Sequence, residues 1–302
     1  MEAGLVGLGR MGINIAKRLL QGGHRVVVYN RTLEKVEAME KEGATPSRSI
    51  EELVHKLKQP RIIWLMLPAG EIVEDHIKRL SSYLSKGDIL IDGGNSYYKD
   101  DIRRYNELGE KGINYLDIGV SGGIWGLNLG FCLMAGGRRE DFDRVEPLLK
   151  TLSPEDGYLY CGPSGAGHFI KMVHNGIEYA LMEAYGEGFE LLQSSPYRQY
   201  MSFEKVAHLW NRGSVIRSWL LELLESAFQK DPELKEIRGY VEDSGEGRWT
   251  VHQAVDSDVP ALAIAHALFK RFRSRQADSF SDKIIAALRR EFGGHSVKKI
   301  GE

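Results

Sequence analysis

A strand, a glycine-rich turn and a helix follow one another directly at the N-terminus, and this succession constrains the chain more than any other feature. The apolar run 3–6 leads into Gly7-Leu8-Gly9-Arg10-Met11-Gly12, and helical periodicity begins at once over 13–21. Each glycine has its own physical task. Gly7 permits the tight turn, Gly9 lets backbone approach a pyrophosphate, and Gly12 lets the helix pack closely on the strand. The helix N-terminus contributes N–H donors and the positive end of its dipole, so the turn Gly7 to Gly12, with Leu8, Arg10 and Met11 between the glycines, reads as a dinucleotide cradle.

The pattern then repeats. Short β-rich runs at 25–29, 61–66, 88–91 and 115–120 alternate with helical stretches at 33–42, 50–57, 73–83 and 99–111. This alternation predicts an α/β, Rossmann-type doubly wound parallel sheet with helices on both faces and right-handed crossovers. Runs at 131–135 and 158–161 flank a helical stretch at 139–149 and extend the sheet. Beyond Cys161 the turn-rich segment Gly162-Pro163-Ser164-Gly165-Ala166-Gly167 gives way to long helical periodicities. We therefore expect a dinucleotide-binding domain over 1–162 and an all-α domain over 163–302, with a long helix from near His168 to Gln193 as its spine. A chain of 302 residues is long enough for two cores.

Composition excludes several classes. Forty Lys plus Arg stand against 42 Asp plus Glu, a formal charge of −2, so no global field draws nucleic acid or an anionic membrane. The 42% hydrophobic and 27% charged content is that of a globular chain rather than a disordered, collagen-like or membrane-spanning one. Cys132 and Cys161 stand far apart, without a CxxC or nearby ligand spacing, so neither a disulfide framework nor a metal is expected. The chain enters its first strand without a basic and apolar leader, which reads as cytoplasmic.

The second strand ends at Asn30, where an NAD enzyme usually carries an acid for the ribose 2′-hydroxyl. Asn30-Arg31-Thr32 offers a guanidinium and a hydroxyl instead, which suits the 2′-phosphate of NADP, with NAD possible. The alternative reading is that Thr32 caps the next helix and Arg31 is solvated. Leu67-Pro68-Ala69 ends the third strand and Asp92-Gly93-Gly94-Asn95-Ser96 the fourth, at the carboxyl edge where such sheets bind ligands. Asn95 is there either a ligand-binding group or a turn asparagine.

Two segments carry candidate chemistry. Ser121-Gly122-Gly123 follows the fifth strand and offers a hydroxyl and backbone donors to a polyhydroxylated or anionic substrate. Within the long helix, Lys171, His174, Asn175 and Glu178 fall at i, i+3, i+4 and i+7 and so share one face. That face is either a solvated charge stripe, with His174 paired to Glu178, or the wall of a cleft; Gly165, Gly167 and Gly176 beside it favour the cleft.

These residues resemble 6-phosphogluconate dehydrogenase, decarboxylating. The likeness is carried by Gly7 to Gly12, Asn30-Arg31-Thr32, Asp92 to Ser96, Val120 to Gly123 and Gly167-His168-Phe169-Ile170-Lys171-Met172-Val173-His174-Asn175-Gly176-Ile177-Glu178-Tyr179. It continues through Gly245-Glu246-Gly247-Arg248-Trp249-Thr250, Phe269-Lys270-Arg271 and Phe292-Gly293-Gly294-His295. The chain is similar to the short bacterial form of that family: the second half of the large helical domain is missing, Arg248 stands where longer members tend to have Lys, and Gly126-Leu127-Asn128 replaces a more basic loop.

The resemblance implies oxidative decarboxylation of 6-phosphogluconate to ribulose 5-phosphate and CO₂ with reduction of NAD(P)⁺, a step of the pentose phosphate pathway. It implies Lys171 as the base and Glu178 as the acid. Asn95, Ser121, Gly122, Gly123, His174 and Asn175 would orient the substrate, and Tyr179, Arg248 and Arg271 would hold its phosphate. Arg289 and His295 would reach in from a neighbouring subunit's tail, which requires a homodimer or homotetramer.

Two other readings stand beside this one. A non-decarboxylating β-hydroxyacid dehydrogenase, of the 3-hydroxyisobutyrate kind, shares the glycine turn, the Ser-Gly-Gly loop and the Lys-Asn pair, but lacks the same acid. A catalytically silent nucleotide-binding scaffold would have no use for Lys171 and Glu178 together.

The turn after the second strand generates a direct test. Arg31→Ala is expected to weaken NADP binding more than NAD binding, by roughly tenfold as one charge-assisted contact is lost. Titration of each nucleotide by fluorescence quenching checks this, and an unchanged ratio of the two affinities would overturn the role given to Arg31.

Overall fold

A computed structural model describes residues 1–298. Packing divides the chain into two compact units, Met1–Asn175 and a second beginning at Gly176.

The first unit is built on eight strands: β1 (Glu2–Val6), β2 (Arg25–Tyr29), β3 (Thr45–Ser47), β4 (Ile62–Leu65), β5 (Ile89–Asp92), β6 (Asn114–Ser121), β7 (Cys132–Gly137) and β8 (Tyr158–Gly162). Their order is β3-β2-β1-β4-β5-β6-β7-β8. The chain winds outward from β1 in one direction and from β4 in the other, so the switch point of the sheet lies between these two neighbours. The helices between strands are α1 (Arg10–Gln21), α2 (Leu33–Lys41), α3 (Ile50–His55), α4 (Glu71–Ser81), α5 (Tyr98–Gly109), the short α6 (Gly126–Leu129) and α7 (Arg139–Leu152).

Sequence patterning predicts this arrangement closely, with two departures. The strand β3 is too short and too polar to announce itself, yet it pairs in parallel with β2. The strand β7 runs antiparallel to β6, and β8 then parallel to β7. A short connection through α6 joins β6 to β7, and a link without a full crossover returns the chain in the opposite direction.

Alternation along the strands splits the core between the two faces. Leu5, Val26 and Val28 pack into one cluster with Ile15 and Leu19 of α1 and Val145 and Leu149 of α7. Val6, Val27, Ile63 and Leu65 point the other way, toward Leu53 of α3, Ile77 of α4 and Leu108 of α5. Period-two side-chain alternation in strands buried on both faces requires this division.

The turn after β8 leads into α8 (Ala166–Gln193), which crosses from the first unit into the second. In the second unit follow α9 (Phe203–Trp210), α10 (Trp219–Lys230), α11 (Glu246–Asp256), α12 (Leu262–Ser274) and α13 (Phe280–Gly293). Phe189 of α8, Phe203 of α9 and Phe228 of α10 form an aromatic core, and Tyr179 packs with Ala267 and Leu268 of α12. Among the described residues no helix is long and apolar enough to cross a membrane.

Candidate active site

The glycine turn has the stereochemistry its sequence implies. Gly7 sits at φ +101°, and a Cβ there would lie 2.4 Å from the Met66 carbonyl oxygen. A Cβ on Gly12 would lie 1.9 Å from the Gly7 carbonyl oxygen, so only glycine lets α1 approach the strand end this closely. A Cβ on Gly9 would meet nothing within 4 Å. Gly9 caps α1 without a side-chain hydrogen bond, and the first turn of α1 carries no acidic residue. A turn that leaves room beside its backbone and its helix donors without a side-chain cap fits a pyrophosphate.

Asn30 turns out to be a brace. Its Oδ1 accepts the Leu8 N–H at 2.9 Å and its Nδ2 donates to the Thr32 carbonyl oxygen at 3.2 Å, tying the glycine turn to the end of β2. Thr32 occupies the N-cap position of α2 but makes no side-chain cap hydrogen bond, so its hydroxyl is not committed to capping. Arg31 and Thr32 are both exposed. Leu67 is half-buried, and Pro68, Ala69 and Asn95 are exposed, on the loops that leave β4 and β5 at the same edge as the glycine turn.

The first turns of α8 run along β6, and glycine makes the approach possible. A Cβ on Gly167 would lie 2.4 Å from the carbonyl oxygens of Asp117 and Met134, and one on Gly119 would lie 2.4 Å from Lys171 Cβ. Helix and strand therefore touch at backbone distance, Gly167 beside Asp117 and Lys171 beside Gly119. One turn later His174 meets Ser121, with Nε2 and Oγ 3.3 Å apart.

This places a hydrogen-bonded chain at the carboxyl edge of the sheet. Lys171 Nζ donates to Asn175 Oδ1 at 2.7 Å, and His174 Nδ1 lies 3.0 Å from the same oxygen. A carbonyl oxygen only accepts, so Nδ1 carries a proton in this pairing and Nε2 faces the Ser121 hydroxyl. Lys171 and Asn175 are only 6% and 8% exposed, so neither belongs to a solvated stripe. Gly122 is half-buried and Gly123 exposed just beyond Ser121.

Beneath this chain lies a buried ionic network whose members are far apart in sequence. Asp117 Oδ1 accepts the Gly165 N–H at 2.7 Å and its Oδ2 the His168 N–H at 3.0 Å, so β6 caps the start of α8. His168 Nδ1 lies 2.7 Å from Asp101 Oδ2. Asp101 Oδ1 accepts from the Tyr115 hydroxyl at 2.7 Å and from Arg104 at 3.3 Å. Arg104 also donates to Asp92 at 2.9 Å and reaches Glu74. Asp92 in turn accepts the Gly94 N–H at 2.9 Å and the Ser96 hydroxyl at 2.6 Å, shaping the loop that carries Asn95.

Carboxylate oxygens of Asp92 and Asp101 and a ring nitrogen of His168 lie within 4.8 Å of one another, a spacing a metal could use. The Arg104 guanidinium already bridges the two carboxylates. Burial alone would lower the pKa of His168, but the Asp101 carboxylate and its hydrogen bond, then Asp92 and Asp117, outweigh that and raise it to about 9. Burial raises Asp92, and raises Asp117 to about 6, against the pull of His168. The sequence signal was available in part: Tyr115, Asp117, Gly119 and Ser121 alternate with Leu116, Ile118 and Val120, and a polar or small residue at every second strand position marks a face covered by something other than an apolar helix.

The second unit gathers another set of predicted residues. The Arg271 guanidinium lies 3.5 Å from the centre of the Tyr179 ring, and Gly247 leaves space for that ring, where a Cβ would come within 2.5 Å of it. The Tyr179 hydroxyl accepts the Ser244 N–H at 3.3 Å. Arg248 grips Asp243 with bonds of 2.6 and 3.0 Å and stacks 4.4 Å over Phe272. Arg271 donates to the Glu242 carbonyl oxygen at 2.8 Å. Tyr179, Arg248 and Arg271 thus meet around one loop. Glu178 is half-buried on α8 beside Tyr179, while Arg289 on α13 and His295 after it are exposed.

A dinucleotide cradle at a sheet switch point, with a buried lysine at the same carboxyl edge, defines an NAD(P)-dependent oxidoreductase. Residues 2–162 match the NAD binding domain of 6-phosphogluconate dehydrogenase, and residues 167–283 match the 6-phosphogluconate dehydrogenase C-terminal domain. The chain belongs to the 6-phosphogluconate dehydrogenase family.

YqeC of Bacillus subtilis, whose name carries only a provisional assignment to that enzyme, is 49% identical over 99% of this chain and 100% of its own length. The NAD(+)-dependent, decarboxylating 6-phosphogluconate dehydrogenase of Haloferax volcanii is 43% identical over 99% of each chain. The 6-phosphogluconate dehydrogenase of Plasmodium falciparum, solved in apo form and with NADP⁺ and with 6-phosphogluconate, superposes with a TM-score of 0.83 at 30% identity, over 100% of this chain and 67% of that one.

The buried network makes a prediction about pH. The fold raises His168 above its ordinary 6.5, so the stability this cation contributes is present in full below about 6.5 and is lost as pH rises through about 9. Asp117 is likewise raised, and its contribution has already gone by about 6. Urea unfolding between pH 7 and 10 is therefore expected to show a falling unfolding free energy in the native protein and a flatter profile in His168→Gln. Identical slopes would contradict the assignment of a buried cation.

Proposed function

We propose that this chain oxidises and decarboxylates 6-phosphogluconate to ribulose 5-phosphate and CO₂, using NAD(P)⁺. The observation that carries the reading is the chain Ser121–His174–Asn175–Lys171, which presents a buried amine at the edge where the dinucleotide cradle opens. The bound nicotinamide would accept a hydride from the substrate.

The residues divide the remaining work. Lys171 Nζ takes the proton of the hydroxyl β to the carboxylate as its carbon loses hydride, which leaves a β-keto acid. The protonated Lys171 then hydrogen-bonds the ketone oxygen and stabilises the negative charge that develops there as the bond to CO₂ breaks. Asn175 fixes the lysine through its Oδ1, and Ser121 and His174 orient the substrate carboxylate and hydroxyls. Asn95 and the backbone of Gly122 and Gly123 complete that contact set. The enediol left by CO₂ loss takes a proton at its terminal carbon from Glu178, which follows Lys171 on α8 at the spacing that returns to the same face.

Tyr179, Arg248 and Arg271 form the phosphate site under this reading. Arg289 and His295 serve a neighbouring subunit of a cytoplasmic homodimer or homotetramer. Exposure of Ile285, Leu288 and Phe292 on α13, at 55%, 57% and 78%, supports burial of that helix against a second chain. The uncommitted hydroxyl of Thr32 and exposed Arg31 support NADP, with NAD accepted.

Incubation with 6-phosphogluconate and each nicotinamide, following absorbance and CO₂ together, tests the reaction: reduction and CO₂ release in equal amounts are expected. Lys171→Ala is expected to lower kcat by about a thousandfold while the cofactor still binds. Reduction without CO₂, or a fully active Lys171→Ala, would overturn the reading.

A further inference from the structure

The buried network joins two particular places. At one end Asp92 holds the Gly94 N–H and the Ser96 hydroxyl, on either side of Asn95. At the other, His168 lies on α8 one turn before Lys171, and Asp117 holds the first N–H groups of that helix. Arg104 and Asp101 of α5 connect the two ends through contacts of 2.9, 3.3 and 2.7 Å. His168, Asp101 and Arg104 are at most 1% exposed.

Stability alone does not account for such a group. Three buried carboxylates (Asp92, Asp101 and Asp117) face two buried cations (Arg104 and His168), and well-packed apolar side chains in their place would usually stabilise a core as well or better. His168 Nε2 is buried without a hydrogen-bond partner among the described residues, a further cost that an apolar residue would avoid. What charged groups with fixed bond directions supply is register between the segments they tie.

We propose that the His168–Asp101 pair is a positioning unit for the reaction. It holds the Lys171 turn of α8 in register with the loop that carries Asn95. The inference rests on the proposed function for its kinetic readout and deepens it, since the Asn95 loop and the base would be set by one buried strut instead of two independent local folds. The charged and titratable groups around His168 come from every element packed there: Asp92 of β5, Asp101 and Arg104 of α5, Tyr115 and Asp117 of β6, with Glu74 of α4 behind Arg104. Removing the imidazolium adds to the excess of carboxylates over cations, and a more negative surrounding favours the protonated form of an amine one turn away.

Two variants test this, measured as kcat, KM and pH profile with 6-phosphogluconate and NAD(P)⁺ and as amide hydrogen exchange. His168→Gln keeps a donor for Asp101 and removes the charge. It is expected to lower kcat about a hundredfold, the scale of a small misplacement of a reacting group. The KM for the nucleotide should change less than about threefold, and the acid limb of kcat/KM should move up by about one pH unit. Exchange should accelerate at 93–98 and 165–172 and remain unchanged in α1. Adding Asp101→Asn, which removes one negative charge as well, should return the acid limb toward its native position and recover at least tenfold in kcat.

A His168→Gln protein with native kcat and native exchange in both segments overturns the proposal. So does a variant that is merely less stable, with its acid limb unmoved. If His168→Gln does not fold, Asp101→Asn alone, nearly isosteric, carries the same measurements with the loss of kcat and of local protection expected. If the native protein does not turn over 6-phosphogluconate, the proposed function fails, and exchange in the two segments still decides the positioning role.

Discussion

The contact on which the first unit's chemistry depends is the backbone-distance packing of α8 on β6. Any side chain at Gly119 or Gly167 would push the helix outward, since a Cβ at either place falls 2.4 Å from atoms of the facing element. A shift of a few tenths of an ångström is tolerable in an apolar core, but here it would separate Lys171 and His174 from the strand end that carries Ser121. Close packing thus fixes the geometry of a hydrogen-bonded chain whose members come from two elements far apart in sequence.

Electrostatics then divides the site into two kinds of environment. The cofactor end is open: the glycine turn leaves donors and space, the first turn of α1 has no acid, and Arg31 and Thr32 stand in solvent. Such a surface attracts a polyanion at little desolvation penalty. Below α8 the opposite holds. Charges are buried and mutually compensated, and a histidine remains cationic well above its ordinary range because three carboxylates surround it. Screened surface charge suits capture of a diffusing ligand, whereas buried paired charge suits the holding of parts in fixed register.

Much of this was legible in the chain. Glycine spacing after an apolar strand announced the tight turn, since Gly7 and Gly12 meet steric limits that no other residue satisfies, and helical periodicity put Lys171, His174 and Asn175 on one face. The antiparallel turn of β7 was not legible, because strand direction depends on a connection whose path the local pattern does not encode. Nor was the contact of His174 with Ser121 legible, since the fold brings that hydroxyl from a strand far away in sequence. Asp101 and Arg104 escaped notice because each looks like an ordinary polar helix residue until the sheet brings β5, β6, α5 and α8 together. Asn30 was read as a ligand contact, and the structure adds a bracing role that a single sequence position cannot announce.

The proposed reaction requires Lys171 to meet the substrate hydroxyl beside the nicotinamide. A crystal structure of the protein with 6-phosphogluconate and a redox-inert nicotinamide analogue bound together addresses it most directly. Lys171 Nζ is expected within about 3 Å of the hydroxyl β to the carboxylate, with that carbon facing the nicotinamide ring. A sugar acid seated away from Lys171, with a water or another side chain on that hydroxyl, would contradict it.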